Sequence, residues 1–216
     1  MHSLYKSPNI DNGYDVSDYY TINPEFGTLA DFEQLVREMH RRGLKLQMEL
    51  VSNHSSDEHP WLQESRKSRD NPYRNYYFWR PPKDGGPPND WTSLFGGSAW
   101  QFDTATGEYY LHYFNKKQAD LNWDNPKLRQ EIYEIERFWL GKGADGFRMD
   151  VITLISKDPT FANLGPRGIA QYEGGPHEHE YLQEMNREVL FGQGCLLSLA
   201  LGRQGPPRSV ARIESR

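Results

Sequence analysis

Arg148 and Asp150 stand two apart in Ala144-Asp145-Gly146-Phe147-Arg148-Met149-Asp150-Val151-Ile152, a run that reads as a short buried strand. At that spacing both side chains leave the same face of a strand. A neighbouring guanidinium favours the ionised form of a carboxylate, so Asp150 is expected to be held charged. A charged carboxylate at the carboxyl end of a strand, after a helix, is where an α/β barrel keeps its catalytic groups. The same spacing also fits a structural ion pair. His54 lies in Ser52-Asn53-His54-Ser55-Ser56, just past a second strand-like run. It reads equally as a site residue and as a loop histidine bonded to backbone. Asp11-Asn12-Gly13-Tyr14-Asp15 packs two carboxylates and a tyrosine around a glycine, but Asp-Asn-Gly is also ordinary turn chemistry.

The elements that must position these residues follow from pattern. Thr28-Leu29-Ala30-Asp31 resembles a capping box, and Phe32, Leu35, Val36 and Met39 recur at helical spacing until Gly43. A strand over 44–51 follows at once. Asn125-Pro126 caps the next helix, with Ile132, Ile135, Phe138 and Trp139 as its core stripe, and Gly141 and Gly143 stop it before the Arg148 strand. Helix leading into strand, twice, favours a parallel sheet with crossover helices. Residues 55–122 carry no sustained period and are too long for a structureless loop. Glu108 to Phe114 reads as a strand within them, so a small β-containing insertion is expected. A helix from Glu178 to Leu190, with Leu182, Met185, Val189 and Leu190 inward, comes after a second irregular stretch over 153–176.

The chain has 216 residues and a net charge of −5, from 25 basic and 30 acidic side chains. That balance argues against a nucleic-acid partner, which needs clustered positive charge. Six Trp and thirteen Tyr suit a pocket that stacks flat sugar faces, or simply large-side-chain packing. Cys195 has no second cysteine to pair with, which excludes an intrachain disulfide and a cysteine-based metal cluster. No apolar run is long enough to span a membrane, and residues 1–8 hold no signal-peptide core. A cytoplasmic protein without a membrane partner is expected, with its oligomeric state open.

Five segments in order resemble glycoside hydrolase family 13, the α-amylase superfamily, in its α-glucosidase and oligo-1,6-glucosidase (isomaltase) group. They are Tyr5-Lys6-Ser7-Pro8-Asn9 with Asp11 to Asp15, Glu49 to Trp61, Gln118 to Trp123, the Arg148–Asp150 run, and His179 to Asn186. The resemblance implies an α/β fold: a partial (β/α)8 TIM barrel, about strands three and four with flanking helices, and a domain B insertion after strand three. It divides the chain into partial barrel at 1–54, domain B at 55–122, partial barrel at 123–190, and an aberrant or disordered tail at 191–216. It implies Asp150 as nucleophile, oriented by Arg148, and His54 as a ligand of the glucose in the cleavage subsite. It implies that Asp11 binds a hydroxyl of that glucose and Tyr14 stacks on its ring, with Phe95 and Phe114 as aromatic walls. Val151, after the nucleophile, is associated in the family with α-1,6 links, where Thr or Ala goes with α-1,4.

The implied activity is retaining hydrolysis of terminal α-linked glucose from oligosaccharides, with two carboxyl groups of different pKa, no cofactor and no metal in this stretch. The alternatives are a sugar isomerase or transglycosylase of the same group, or a non-catalytic amylase-like interaction protein. The sequence departs from the pattern where the family keeps its acid, a Glu at the end of strand five. After Leu190 the only acidic residue is Glu214, in a basic context. No general acid is assigned, and the chain is expected to be inactive. Glu49 stands where the family has Asp, Ser52 where it has an apolar residue, and Ala119 where it often has Pro.

Overall fold

The computed structural model describes residues 3–165 and 172–199, with backbone alone at Leu199. Strands β1 (Tyr5–Lys6) and β2 (Asp18–Ile22) pair antiparallel and lead into helix α1 (Leu29–Arg41). Thr28 caps α1 with both bonds of the capping box, its hydroxyl taking the Asp31 N–H and the Asp31 carboxylate taking its own N–H. Phe32 and Val36 form the buried face, whereas Leu35, on the flank of that face, is 47% exposed. After Gly43, whose φ of +70° suits a residue without Cβ, the chain enters β3 (Gln47–Val51).

Strand β4 (His54–Ser56) follows two residues after β3. Then come α2 (Pro60–Ser65), β5 (Trp79–Arg80), β6 (Trp100–Asp103), β7 (Glu108–Leu111) and β8 (Gln118–Asp120). β5, β7 and β6 make an antiparallel three-stranded sheet, and β4 pairs antiparallel with β8, closing the insertion back on the strand that opened it. Its core is aromatic: Phe78, Trp91, Trp100 and Tyr113 pack with Val151, Leu154 and Tyr172 from beyond the insertion. The insertion is thus seated on the segment that follows Asp150.

Helix α3 (Pro126–Gly141), capped by Asn125, runs into β9 (Gly146–Asp150). Trp139 anchors α3. Its ring meets Phe32 at 5.0 Å and Tyr5 at 5.7 Å between centroids, and its indole N–H donates to the Tyr19 carbonyl at 2.8 Å. Helix α4 (Glu178–Met185) continues through a wider turn over Asn186–Leu190 and packs on α3.

The main sheet is parallel, in the order β10-β9-β3, where β10 is Leu196–Leu199. Glu49 lies opposite Arg148 and Val51 opposite Asp150 in one register, and Leu196 opposite Gly146 in the other. The alternation in β9 sends Phe147 and Met149 into the core and leaves Arg148 and Asp150 partly open at the other face. The expectation that structure ends at residue 190 is corrected here. A four-residue run with Leu at 196, 197 and 199 forms β10, because Gly146 lets its backbone come so near that any Cβ there would overlap it. β9 is therefore flanked on both sides and is not an edge. The rest of the expected tail, residues 200–216, lies outside the described residues.

One core position contradicts its residue type. Glu136, one turn after Ile132 on α3, is fully buried, and neither carboxylate oxygen has a hydrogen-bond partner. Burial pushes its pKa well above the ordinary carboxylate value. The folded chain then holds a proton that the unfolded chain releases. Stability is highest at low pH and falls as pH rises past the ordinary carboxylate range towards the folded pKa. Glu136→Met is expected to stabilise the fold by about 1–3 kcal/mol near neutral pH, the penalty of an unsatisfied buried polar group, and to remove this part of the pH dependence. Urea unfolding of both forms across pH checks it.

Candidate active site

The carboxyl ends of β3 and β9 converge on one cluster. Arg148 pairs with two carboxylates: Glu49, directly opposite in register, and Asp150 on its own strand, with Nη1 3.3 Å from Oδ1. Nη1 also donates to the Tyr14 hydroxyl at 3.4 Å. Glu49 is nearly inaccessible, and Asp150 retains 13% side-chain exposure. The guanidinium therefore sits between the sheet interior and an open carboxylate. Arg148 favours the ionised form of Asp150, as expected, but burial outweighs it. Desolvation dominates and raises the Asp150 pKa, the charges of His54 and Arg148 and the Arg148 hydrogen bond pull it down, and Asp11 pushes it up again.

Tyr14 and Asp11 arrive from the loop between β1 and β2. Tyr14 N–H donates to the Asp11 carbonyl at 2.9 Å, closing a turn in which Asn12 and Gly13 both take positive φ. The two aspartates of this turn divide the work. Asp15 is fully buried and accepts from the Ser7 hydroxyl (2.8 Å), the Ile10 N–H (3.0 Å) and the Asp11 N–H (3.1 Å). It fixes the loop and leaves Asp11 free to face the site.

His54 is buried at the start of β4, with its ring 5.1 Å from that of Phe114. Phe95, 59% exposed, continues this wall outwards, 5.7 Å edge-on to Phe114. The Tyr19 hydroxyl bonds the carbonyls of Val51 (2.9 Å) and His54 (3.0 Å), and the Trp123 indole donates to the Ser52 carbonyl (2.7 Å). These bonds fix the backbone that turns from β3 into β4. Desolvation lowers the His54 pKa, against the opposing pull of Asp120, Asp150 and Asp11.

Val151 follows Asp150 in the left-handed region, at φ 40° and ψ 39°. For a β-branched residue this is strained backbone, of a kind that costs about 1–3 kcal/mol. It turns the chain abruptly off the strand into a tight helical turn at Ile152–Leu154, while the Val151 side chain packs into the insertion core. Asp150 is left as the last residue of β9.

Asn53, Gln118, Asp120 and Lys157, given no role from the sequence, complete the cluster. Gln118 Nε2 donates to Asp11 Oδ2 at 2.9 Å and lies 3.1 Å from His54 Nε2, bridging the two residues. Lys157 is fully buried against Asp120, at 2.8 Å, and donates to Asn53 Oδ1 and the Leu154 carbonyl, both at 2.6 Å. Asp120 in turn accepts from the Tyr113 N–H at 3.0 Å. Gln118 and Asp120 sit two apart in Gln118-Ala119-Asp120, and that alternation could have marked them as one face of a strand. Nothing local marks Lys157, which lies in a stretch without period.

All eight residues expected from the sequence stand in or beside this cluster. Asp150, Arg148 and Tyr14 are in direct contact, Asp11 and His54 meet through Gln118, and Phe114 and Phe95 form the wall. Val151 reaches the insertion core. Chemically the cluster offers a partly open carboxylate with a fixed cation behind it, hydrogen-bonding groups of both polarities, and an aromatic face.

The family model for the alpha-amylase catalytic domain matches residues 1–197, and the chain belongs to that family. Oligo-1,6-glucosidase of Parageobacillus thermoglucosidasius is 62% identical over 197 residues, 88% of this chain and 35% of that protein. Trehalose-6-phosphate hydrolase of Escherichia coli K12 is 46% identical over 194 residues, 89% of this chain and 35% of the relative. Among solved structures, Bacillus licheniformis trehalose-6-phosphate hydrolase superposes with a TM-score of 0.91 at 47% identity, over 94% of this chain and 37% of its own. Trehalulose synthase of Pseudomonas mesoacidophila MX-45 gives 0.89 at 50%, over 92% and 36%, and a mutant of that enzyme has been solved with sucrose. The neighbours are TIM-barrel glycoside hydrolases. The chain spans about 35% of the length of the curated relatives it matches. Among the described residues, no helix is long and apolar enough to cross a membrane.

Removing the cation tests the electrostatics. Arg148→Gln leaves Glu49 buried without a counter-charge and is expected to destabilise by about 3 kcal/mol, the low end for breaking a buried pair. Adding Glu49→Gln to the variant should recover most of this loss in chemical denaturation.

Proposed function

We propose that this chain is the nucleophile-bearing part of a retaining α-glucosidase, with β3, β9 and β10 as barrel strands three, four and five and residues 55–122 as domain B. The observation that carries the reading is the Asp150 carboxylate at the end of the central parallel strand, fixed by Arg148 and facing Asp11, Tyr14 and His54. In a retaining mechanism a carboxylate attacks the anomeric carbon while a second carboxyl protonates the departing oxygen and later activates water. Asp150 takes the first role. Asp11 and His54 bind hydroxyls of the terminal glucose, Tyr14 stacks on its ring, and Phe95 and Phe114 line the neighbouring space. The substrate is an oligosaccharide ending in α-linked glucose. The α-1,6 link is favoured by Val151 and by the oligo-1,6-glucosidase relatives at 56–62% identity, with α-1,4 as the alternative.

The second carboxyl group has no counterpart. After Leu190 the sequence holds no acidic residue before Glu214, and Ala200 directly follows β10. The 216-residue chain is expected to release no glucose from isomaltose or maltose in a coupled assay, and measurable turnover would contradict this. Linkage preference is tested by grafting residues 1–190 of this chain in place of the matching segment of the P. thermoglucosidasius relative. The graft should prefer isomaltose, and Val151→Thr should shift it towards maltose. A second reading, a sugar isomerase, is favoured by the trehalulose and isomaltulose synthase neighbours. Product analysis of the graft with sucrose separates the two: release of glucose and fructose supports hydrolysis, and an isomeric disaccharide supports isomerisation.

A further inference from the structure

His54 is enclosed by amide N–H groups on both ring nitrogens. On one side Gln118 Nε2 lies 3.1 Å from His54 Nε2. The Gln118 amide cannot turn over without loss, because its Oε1 accepts from the Asn115 N–H (3.0 Å) and its Nε2 donates to Asp11 (2.9 Å). On the other side Asn53 Nδ2 lies 3.3 Å from His54 Nδ1, and Asn53 Oδ1 is taken by Lys157 at 2.6 Å. Asn53, His54, Gln118 and Lys157 are all buried.

We infer that Lys157 is a positioning residue for His54: its ammonium fixes the Asn53 side-chain amide with the oxygen turned away, so that His54 Nδ1 meets an N–H and not a carbonyl. An imidazolium has a proton on both nitrogens and would face a donor at each. A neutral ring can accept at one of them. The shorter contact assigns the lone pair to Nε2, towards Gln118, and the proton to Nδ1. Lys157 is tied to this task from every side. All three of its protons have acceptors, in Asn53, the Leu154 carbonyl and Asp120, and its charge lies 4.4 Å from the Tyr113 ring centroid. It links the turn after Asp150 to the start of β4 and to β8, so the state of His54 is set by the segment that carries the nucleophile.

The charged groups facing His54 act in both directions. Asp120 on β8, Asp150 on β9 and Asp11 in the β1–β2 loop favour protonation, and Lys157 and burial oppose it, with burial the largest effect. The inference deepens the proposed glucosidase site, since His54 stands among its carboxylates, Asp150 and Asp11. The arrangement of the ring itself does not depend on that reading.

The test is proton and 15N NMR of the histidines of the full chain across pH, with the His54 signals assigned by their loss in His54→Gln. In the wild type, His54 should be neutral, unprotonated at Nε2, with a titration midpoint below the ordinary histidine value. Lys157→Met frees the Asn53 amide to turn its oxygen to Nδ1 and removes a positive charge. The midpoint should rise by about one unit or more, a tenfold change in proton affinity. Lys157→Arg keeps the charge and the donors and should hold the midpoint near its original position. Asn53→Ser changes no charge and offers a hydroxyl that can accept from Nδ1, so the midpoint should again rise. An unchanged midpoint in Asn53→Ser, or an equal rise in Lys157→Arg and Lys157→Met, would overturn the inference. If Lys157→Met does not fold, Asn53→Ser decides alone. Glucosyl transfer to Asp150 is a separate measurement, so failure of the glucosidase reading leaves this result standing.

Discussion

A buried charge must be neutralised where it lies, and the Arg148 guanidinium is where this fold meets that demand. Parallel pairing of β3 and β9 places Glu49 opposite Arg148, and the strand period places Asp150 beside it. One cation thus serves a carboxylate sealed in the sheet and another left partly open. Without it, two negative groups would converge on one end of the sheet in a medium that screens them poorly. With it, Asp150 is oriented but still raised in pKa by its surroundings.

The insertion is bound to this strand end by a second neutralised charge. Lys157 and Asp120 are both fully inaccessible. Such pairs contribute little net stability, yet breaking them is expensive, so they act best as fixed joints. This one joins the turn after Asp150, the Asn53–His54 corner and β8. Val151 and Leu154 reinforce it by packing into the aromatic core of the insertion. The strained φ of Val151 is tolerated because packing on both sides holds it.

Much of this was legible from residue order. The Thr28 and Asn125 caps, the glycine stops and the inward helix faces are local signals, and they placed α1, β3, α3 and β9. Asp150, Arg148 and His54 were legible because strand ends and two-residue spacing constrain direction. The ordered segment past residue 190 was not, because four residues rich in Leu carry no period and become a strand only beside Gly146. Glu136 was not, because its type argues for the surface and only the packing of α3 into the core buries it. Lys157 and Gln118 were not, since their partners lie 37 (Asp120) and 107 (Asp11) residues away in sequence. The sign of the Asp150 shift also escaped, because spacing reveals a neighbouring charge but not the extent of burial.

The central claim, that Asp150 is a nucleophile without its acid, is tested most directly by incubating the chain with α-glucosyl fluoride. Fluoride leaves with the bonding electron pair and needs no proton, so a carboxylate alone can form the bond to the anomeric carbon. With no general base to activate water, the ester should persist. Intact-mass and peptide mass spectrometry should find one added glucosyl unit, on Asp150, and none in Asp150→Asn. No adduct, or an adduct on another residue, would contradict the account.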